Sequence, residues 1–205
     1  SICRSRTPGE ISVAVKAIDG GRFSRYAQQD IQQGMELEVM VPQGHFGYQP
    51  QAERQGEYLA IAAGSGITPM MAIMSATLAT EPQSRFTLIY GNRSSHSMMF
   101  RQALADLKDR YPQRLQVIHL FSQESMDSDL LQGRIDGDKL RQLADHLLDF
   151  SRFDEAFICG PAAMMDEAEA TLRELGVAEK SIHLERYNTP GGNVTVSYTH
   201  LRAHE

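Results

Sequence analysis

Cysteine is almost missing from this chain: only Cys3 and Cys159 occur in 205 residues, far apart and in unlike contexts. Two such cysteines make no disulfide framework, and they fit a reducing compartment. They also exclude a four-cysteine zinc or iron–sulfur site within the chain. No apolar run approaches the roughly 18 residues that a membrane-spanning helix needs. Basic residues are outnumbered, 20 Lys and Arg against 26 Asp and Glu, and no basic stripe compensates, which argues against a nucleic-acid surface. The opening "SICRSRTPGEISVAV" holds no methionine start and no signal peptide, and reads as the interior of a domain. A cytoplasmic fragment of a larger protein is the expectation.

What is present falls into two textures. Over residues 1–50, "EISVAVKAI" and "MELEVMV" alternate at the strand period between glycine and proline clusters, and "FSRYAQQDIQQG" predicts a helical turn ended by Gly34. From residue 57 onward strands and helices alternate: "EYLAIAA", "PMMAIMSATLAT", "RFTLIYG", "SMMFRQALADLKDRY", "RLQVIHLFS", "IDGDKLRQLADHLL", "EAFICG", "PAAMMDEAEATLRELG" and "SIHLERY". That order predicts an α/β domain over 57–190, a five-stranded parallel sheet with helices on both faces. The polar residues 51–56 read as the linker between it and the β-rich part. The tail 191–205 fits neither texture and is expected to be disordered.

Three turns carry the chemistry. "AIAAGSGITPM" ends a strand in two closely spaced glycines. Gly64 can take a conformation other residues avoid, Gly66 leaves room for an incoming group, and Thr68 and Pro69 suit an N-cap and a first helical residue. Free N–H groups at such a helix start suit a pyrophosphate. The spacing is neither G-x-G-x-x-G nor a Walker loop. "YGNRSS" ends the second strand with Asn92 and Arg93 and no carboxylate, and Arg101 follows. An arginine here accommodates a 2′-phosphate, so NADP is favoured over NAD. "FICGPAAMM" breaks the fourth strand at Gly160 and Pro161, with Cys159 projecting at that edge. The methionines 70, 71, 74, 98, 99, 164 and 165 read as helix core, His45 as a loop histidine and not a metal ligand, and the carboxylates of "DSDLL" and "DEAEA" as helix starts.

Taken in order, "GSGITPM", "YGNRS" and "CGPAAMM" resemble the ferredoxin–NADP⁺ reductase family, and "GGRFSRYA" and "VPQGHF" resemble its flavin segments. The resemblance covers residues 1 to about 190 and implies a partial antiparallel FAD-binding barrel over 1–50 before the NADP-binding domain. By that resemblance Ser1 lies beside the flavin ring with Ile2. Gly21, Arg22, Phe23 and Ser24 cradle the FAD pyrophosphate through backbone and hydroxyl donors, and Tyr187 sits near the flavin. Gly64, Gly66, Thr68 and Pro69 line the NADP pyrophosphate, and Asn92, Arg93 and Arg101 hold the 2′-phosphate end. Cys159, with Gly160, Pro161 and Met164, lies beside the nicotinamide, and Glu185 approaches from the last strand. Ser1, Cys159 and Glu185 thus form the catalytic set, with no metal among the ligands. "GRIDGDKL" and "HLERYNTPG" resemble reductases that pass electrons from NADPH through FAD and a [2Fe–2S] centre, absent here, to the oxygenase subunits of a multicomponent complex acting on an aromatic CoA thioester. The same modules serve other aromatic-ring oxygenases and monooxygenases. A non-catalytic NADP-binding module is the alternative of another class.

Overall fold

The computed structural model describes residues 2–4, 10–17, 19–41 and 44–186. Ser1, Pro42 of the "VPQGHF" segment, Tyr187 and the tail 191–205 lie outside them.

The α/β part follows from burial. Strands β3 (Glu57–Ala63), β4 (Arg85–Asn92), β5 (Leu115–Phe121), β6 (Glu155–Cys159) and β7 (Ile182–Glu185) form one sheet in the order β5-β4-β3-β6-β7. Every pairing is parallel. The central strands are predominantly apolar, with Thr87 as the polar exception inside β4, because both faces are covered, as parallel sheets require. On one face Tyr58, Ala60, Ala62, Phe86, Leu88, Tyr90, Phe157 and Cys159 pack against α2 (Ile67–Thr80) and α3 (Arg101–Arg110). On the other, Leu59, Ile61, Ile89, Ile118, Ala156 and Ile158 meet α4 (Gly137–His146) and α5 (Ala162–Glu174). The chain builds outward from β3 through β4 to β5, then returns to lay β6 on the other side of β3. The order therefore reverses between β3 and β6, and open α/β sheets hold ligands at the carboxyl end of such a crevice.

The first part is thinner. β1 (Ile2–Arg4) and β2 (Ser12–Val13) make a two-stranded antiparallel ladder, and β1 packs on α2. The strands expected from "EISVAVKAI" and "MELEVMV" are corrected: among the described residues of the first only Ser12–Val13 is strand, and residues 35–41 form none. Val39, Met40 and Val41 are exposed. Alternation creates a strand only where another backbone accepts its hydrogen bonds, and these residues have no neighbour to pair with among the described residues. α1 (Arg22–Gln29) ends at Asp30, earlier than the turn at Gly34. α3 starts at Arg101, so Met98 and Met99 precede it, although both pack against the core. Phe100, its N-cap, has φ 58°, a left-handed backbone that costs a non-glycine residue about 1–2 kcal/mol. "DEAEA" lies inside α5 instead of at a helix start: Asp166 pairs with Arg186, Glu169 with Arg173, and Glu167 accepts the Gly137 N–H.

Residues 51–56 are pinned to the amino edge of the sheet. Glu81 at the end of α2 is fully buried and accepts four donors: Tyr48 Oη (2.7 Å), Tyr58 Oη (2.7 Å), Ser84 Oγ (2.6 Å) and the Gln51 N–H (2.9 Å). Burial pushes its carboxyl up, and those hydrogen bonds outweigh burial to hold it below the usual carboxylate range. Arg54 lies over the Tyr48 and Tyr58 rings and pairs with Glu155 at 3.1 Å. Arg114 donates to the carbonyls of Leu78 and Glu81, closing the carboxyl end of α2.

Candidate functional site

The glycine turn sits at the crevice. Gly64 has φ 54°, and Gly64–Gly66 form a 3-10 turn that runs directly into α2. Gly66 plays a different part from the one expected. A Cβ there would stand 2.0 Å from the Cys159 carbonyl oxygen and 2.5 Å from its carbon. Its bareness lets the start of α2 press onto the end of β6, and the space it leaves is filled by protein. Gly64 has the open side, where a Cβ would meet only Lys16 Nζ at 3.5 Å. The cap also differs. α2 is preceded by Gly66 with no side-chain cap, Thr68 and Pro69 fall inside the first turn, and Thr68 Oγ1 donates to the Ser65 carbonyl at 2.8 Å. The 3-10 turn has already started the helical path, so no capping side chain is needed at Thr68.

Cys159 and Glu185 end β6 and β7 and are register partners, while Ala62 flanks Cys159 on β3. Cys159 is fully buried, which corrects the expectation that it projects. It is in phase with Phe157 on the face covered by α2 and lies within that apolar cluster. Glu185 is half-buried. Gly160 and Pro161 follow at once, and Met164 lies over Gly160, where a Cβ would meet its Cε at 2.7 Å. Thus Gly64, Gly66, Cys159, Gly160 and Glu185 converge on one edge.

The loop after β4 carries the second cluster. Tyr90 Oη donates to the Gly64 carbonyl at 3.1 Å and ties this loop to the glycine turn. Ser94 and Ser97 form a reciprocal capping box around residues 95–97. Arg93 is exposed, and neither its guanidinium nor that of Arg101 has an ion-pair partner among the described residues. His119 Nδ1 is a buried atom without a hydrogen-bond partner among the described residues. Burial lowers the His119 pKa, which keeps that ring neutral.

In the first part, Gly21 is the N-cap of α1 without a side-chain cap, and no acidic residue stands in the first turn. Arg22 and Phe23 are exposed, Phe23 at 64 %. Ser24 departs from its expected role: it is buried and its hydroxyl donates back to the Gly21 carbonyl at 3.3 Å. The backbone N–H groups and Arg22 remain as anion donors there. Glu124, absent from the sequence-based set, accepts the Ser95 N–H at 2.6 Å. A recess lined by Glu57, Arg85, Arg114, Gln116, Leu148 and Arg152 among others lies at the amino ends of the strands and carries none of these groups.

Fold and turns together define an α/β domain of the nucleotide-binding kind, and the β3/β6 reversal is its candidate site. Residues 60–170 match the family "Oxidoreductase NAD-binding domain", and the chain belongs to that family. It is 75% identical over 194 residues to one of the subunits of 1,2-phenylacetyl-CoA epoxidase from Escherichia coli strain K12, covering 95% of this chain and 54% of that protein. It is 36% identical to the ferredoxin reductase component of 3-ketosteroid-9-alpha-monooxygenase of Mycolicibacterium smegmatis, covering 89% of this chain and 48% of that one. Among solved structures, the flavohem-like FAD/NAD binding domain of nitric oxide dioxygenase from Vibrio cholerae superposes with a TM-score of 0.67 at 32% identity, over 80% of this chain and 64% of that one. The chain spans about half the length of the curated relatives it matches. No helix among the described residues is long and apolar enough to cross a membrane.

Proposed function

We propose that this chain is the FAD- and NADPH-binding part of a reductase that delivers electrons, through an iron–sulfur centre elsewhere in the full-length protein, to the oxygenase subunits of a multicomponent complex. Phenylacetyl-CoA epoxidase is the best-supported acceptor. The observation that carries this is the convergence of Gly64, Cys159 and Glu185 at the β3/β6 crevice, in a chain 75% identical to a component of that epoxidase. The reductase of another oxygenase is the second reading, favoured by the 36% identity to a ketosteroid monooxygenase component.

The bound cofactors supply the difficult chemistry, hydride transfer followed by release of single electrons. This chain's residues bind and orient. The open side of Gly64 admits the nucleotide pyrophosphate, and Arg93 with Arg101 offers forked donors to a 2′-phosphate. The first-turn amides of α1 and Arg22 receive the flavin pyrophosphate, with Ser1 and Ile2 beside the flavin ring. Cys159, buried under α2, would support the end of β6 over which a nicotinamide would lie, and Glu185 would set the local charge there. Their contribution is positioning and electrostatics, with no covalent step. We assign the domains as 1–50 and 57–190 on the same grounds, and a cytoplasmic location.

Two measurements test this. Purified full-length protein should carry the yellow absorbance of bound flavin and bleach on anaerobic NADPH addition. Adding the oxygenase subunits should then accelerate NADPH oxidation. A colourless protein, or one that NADPH leaves yellow, refutes the reading.

A further inference from the structure

The segment after β4 contains no carboxylate, yet the fold delivers one from the next strand. β4 and β5 stay zipped past their ends: the Ser122 N–H donates to the Asn92 carbonyl (3.1 Å) and the Gln123 N–H to the Arg93 carbonyl (2.8 Å). This carries Glu124 onto the β4 loop, where its carboxylate takes the Ser95 N–H at 2.6 Å. The Ser95 amide and side chain, with His96 and Arg101 nearby, hold it below the usual carboxylate range. Glu124 is therefore an anion at neutral pH, seated among donors and cations. Arg93 and Arg101 have no ion-pair partner among the described residues, so the loop's positive charge is met only in part by Glu124.

We propose that Glu124 is a specificity-determining residue for the 2′ position of the nucleotide's adenosine ribose. A carboxylate there accepts a hydrogen bond from a 2′-hydroxyl, the donor that NADH presents. It opposes a 2′-phosphate twice, by like-charge repulsion and by occupying the Ser95 N–H that a phosphate oxygen would take. Arg93 and Glu124 therefore pull in opposite directions, and the protein prefers NADPH by less than its arginines alone would dictate. This inference rests on the reading that the β4 loop receives the ribose.

The test uses the full-length flavoprotein and two fragments, AMP and its 2′-phosphorylated form, titrated by calorimetry. Glu124→Gln should bind 2′-phospho-AMP about three- to fivefold more tightly than wild type, the scale of one partly exposed charge pair. The ratio of the two affinities should move toward the phosphorylated fragment, and the gain should shrink in high salt. Glu124→Ala should move the ratio the same way, which guards against a folding defect peculiar to glutamine. Wild type that binds both fragments, with variants that keep its ratio or lose 2′-phospho-AMP affinity, overturns the inference alone. Wild type that binds neither fragment overturns the nucleotide reading of the loop and the inference with it.

Discussion

Replacing Gly66 by alanine would put a methyl 2.0 Å from the Cys159 carbonyl oxygen, 2.5 Å from its carbon and 3.0 Å from the Gly160 nitrogen. An unstrained C···O contact is about 3.3 Å, so the start of α2 and the end of β6 must part by roughly 1 Å. All three atoms are backbone, and β6 is held by β3 on one side and β7 on the other, so no side chain can swing away. Overpacking of this kind costs about 1–3 kcal/mol, and rigid partners argue for the upper end. For a chain of this size that lowers Tm by roughly 6–12 °C. The same displacement moves the glycine turn relative to Cys159, and a 1 Å misplacement costs on the order of 10²-fold in rate. Gly64→Ala is the internal control: its Cβ has open space, and its penalty is the left-handed φ of 54°, about 1–2 kcal/mol. Thermal unfolding followed by circular dichroism should rank Gly66→Ala as the more damaging of the two. A Gly66→Ala protein that melts within 2 °C of wild type (about 1 kcal/mol or less), or later than Gly64→Ala, refutes the packing explanation.

Arg93→Ala should raise KM for NADPH about tenfold, the worth of a charge-assisted pair, with a much smaller change for NADH; steady-state kinetics with both nucleotides check it, and an unchanged preference counts against the assignment. Glu81→Gln should destabilise the protein by about 1–3 kcal/mol, because it weakens four hydrogen bonds to a buried carboxylate. The folded-state pKa of Glu81 is lowered, so this stability is complete above the ordinary carboxylate value of about 4.3 and is lost as pH falls through the folded value. Denaturation curves at pH 7 and pH 3.5 should therefore show the gap between wild type and Glu81→Gln narrowing in acid; a gap that widens refutes the sign.

The sheet was legible in the sequence because strands buried on both faces announce themselves as apolar runs, unbroken in Tyr58–Ala62 and interrupted only by Thr87 in Phe86–Tyr90. Residues 35–41 show the limit: alternation is a property of one segment, whereas a strand is a property of two. Gly64 takes the left-handed backbone expected of it, whereas Gly66 was found by type and misassigned by role. That Gly66 faces the Cys159 carbonyl depends on β6, which enters the sheet some 90 residues later. Glu124 and Glu81 were missed for a related reason. Glu124 reaches Ser95 through strand pairing, and the donors to Glu81 are spread from Tyr48 to Ser84. Neither cluster has a linear spacing to read. The thiol of Cys159 was expected at the edge, and only its phase with Phe157, under α2, buries it.

Stopped-flow reduction of the flavin in the full-length Cys159→Ala protein tests the meeting of the two cofactors over the end of β6 most directly. At saturating NADPH the rate of flavin reduction should fall at least about tenfold, as expected for lost positioning, while the apparent Kd for NADPH changes far less. Reduction at the wild-type rate would contradict the account.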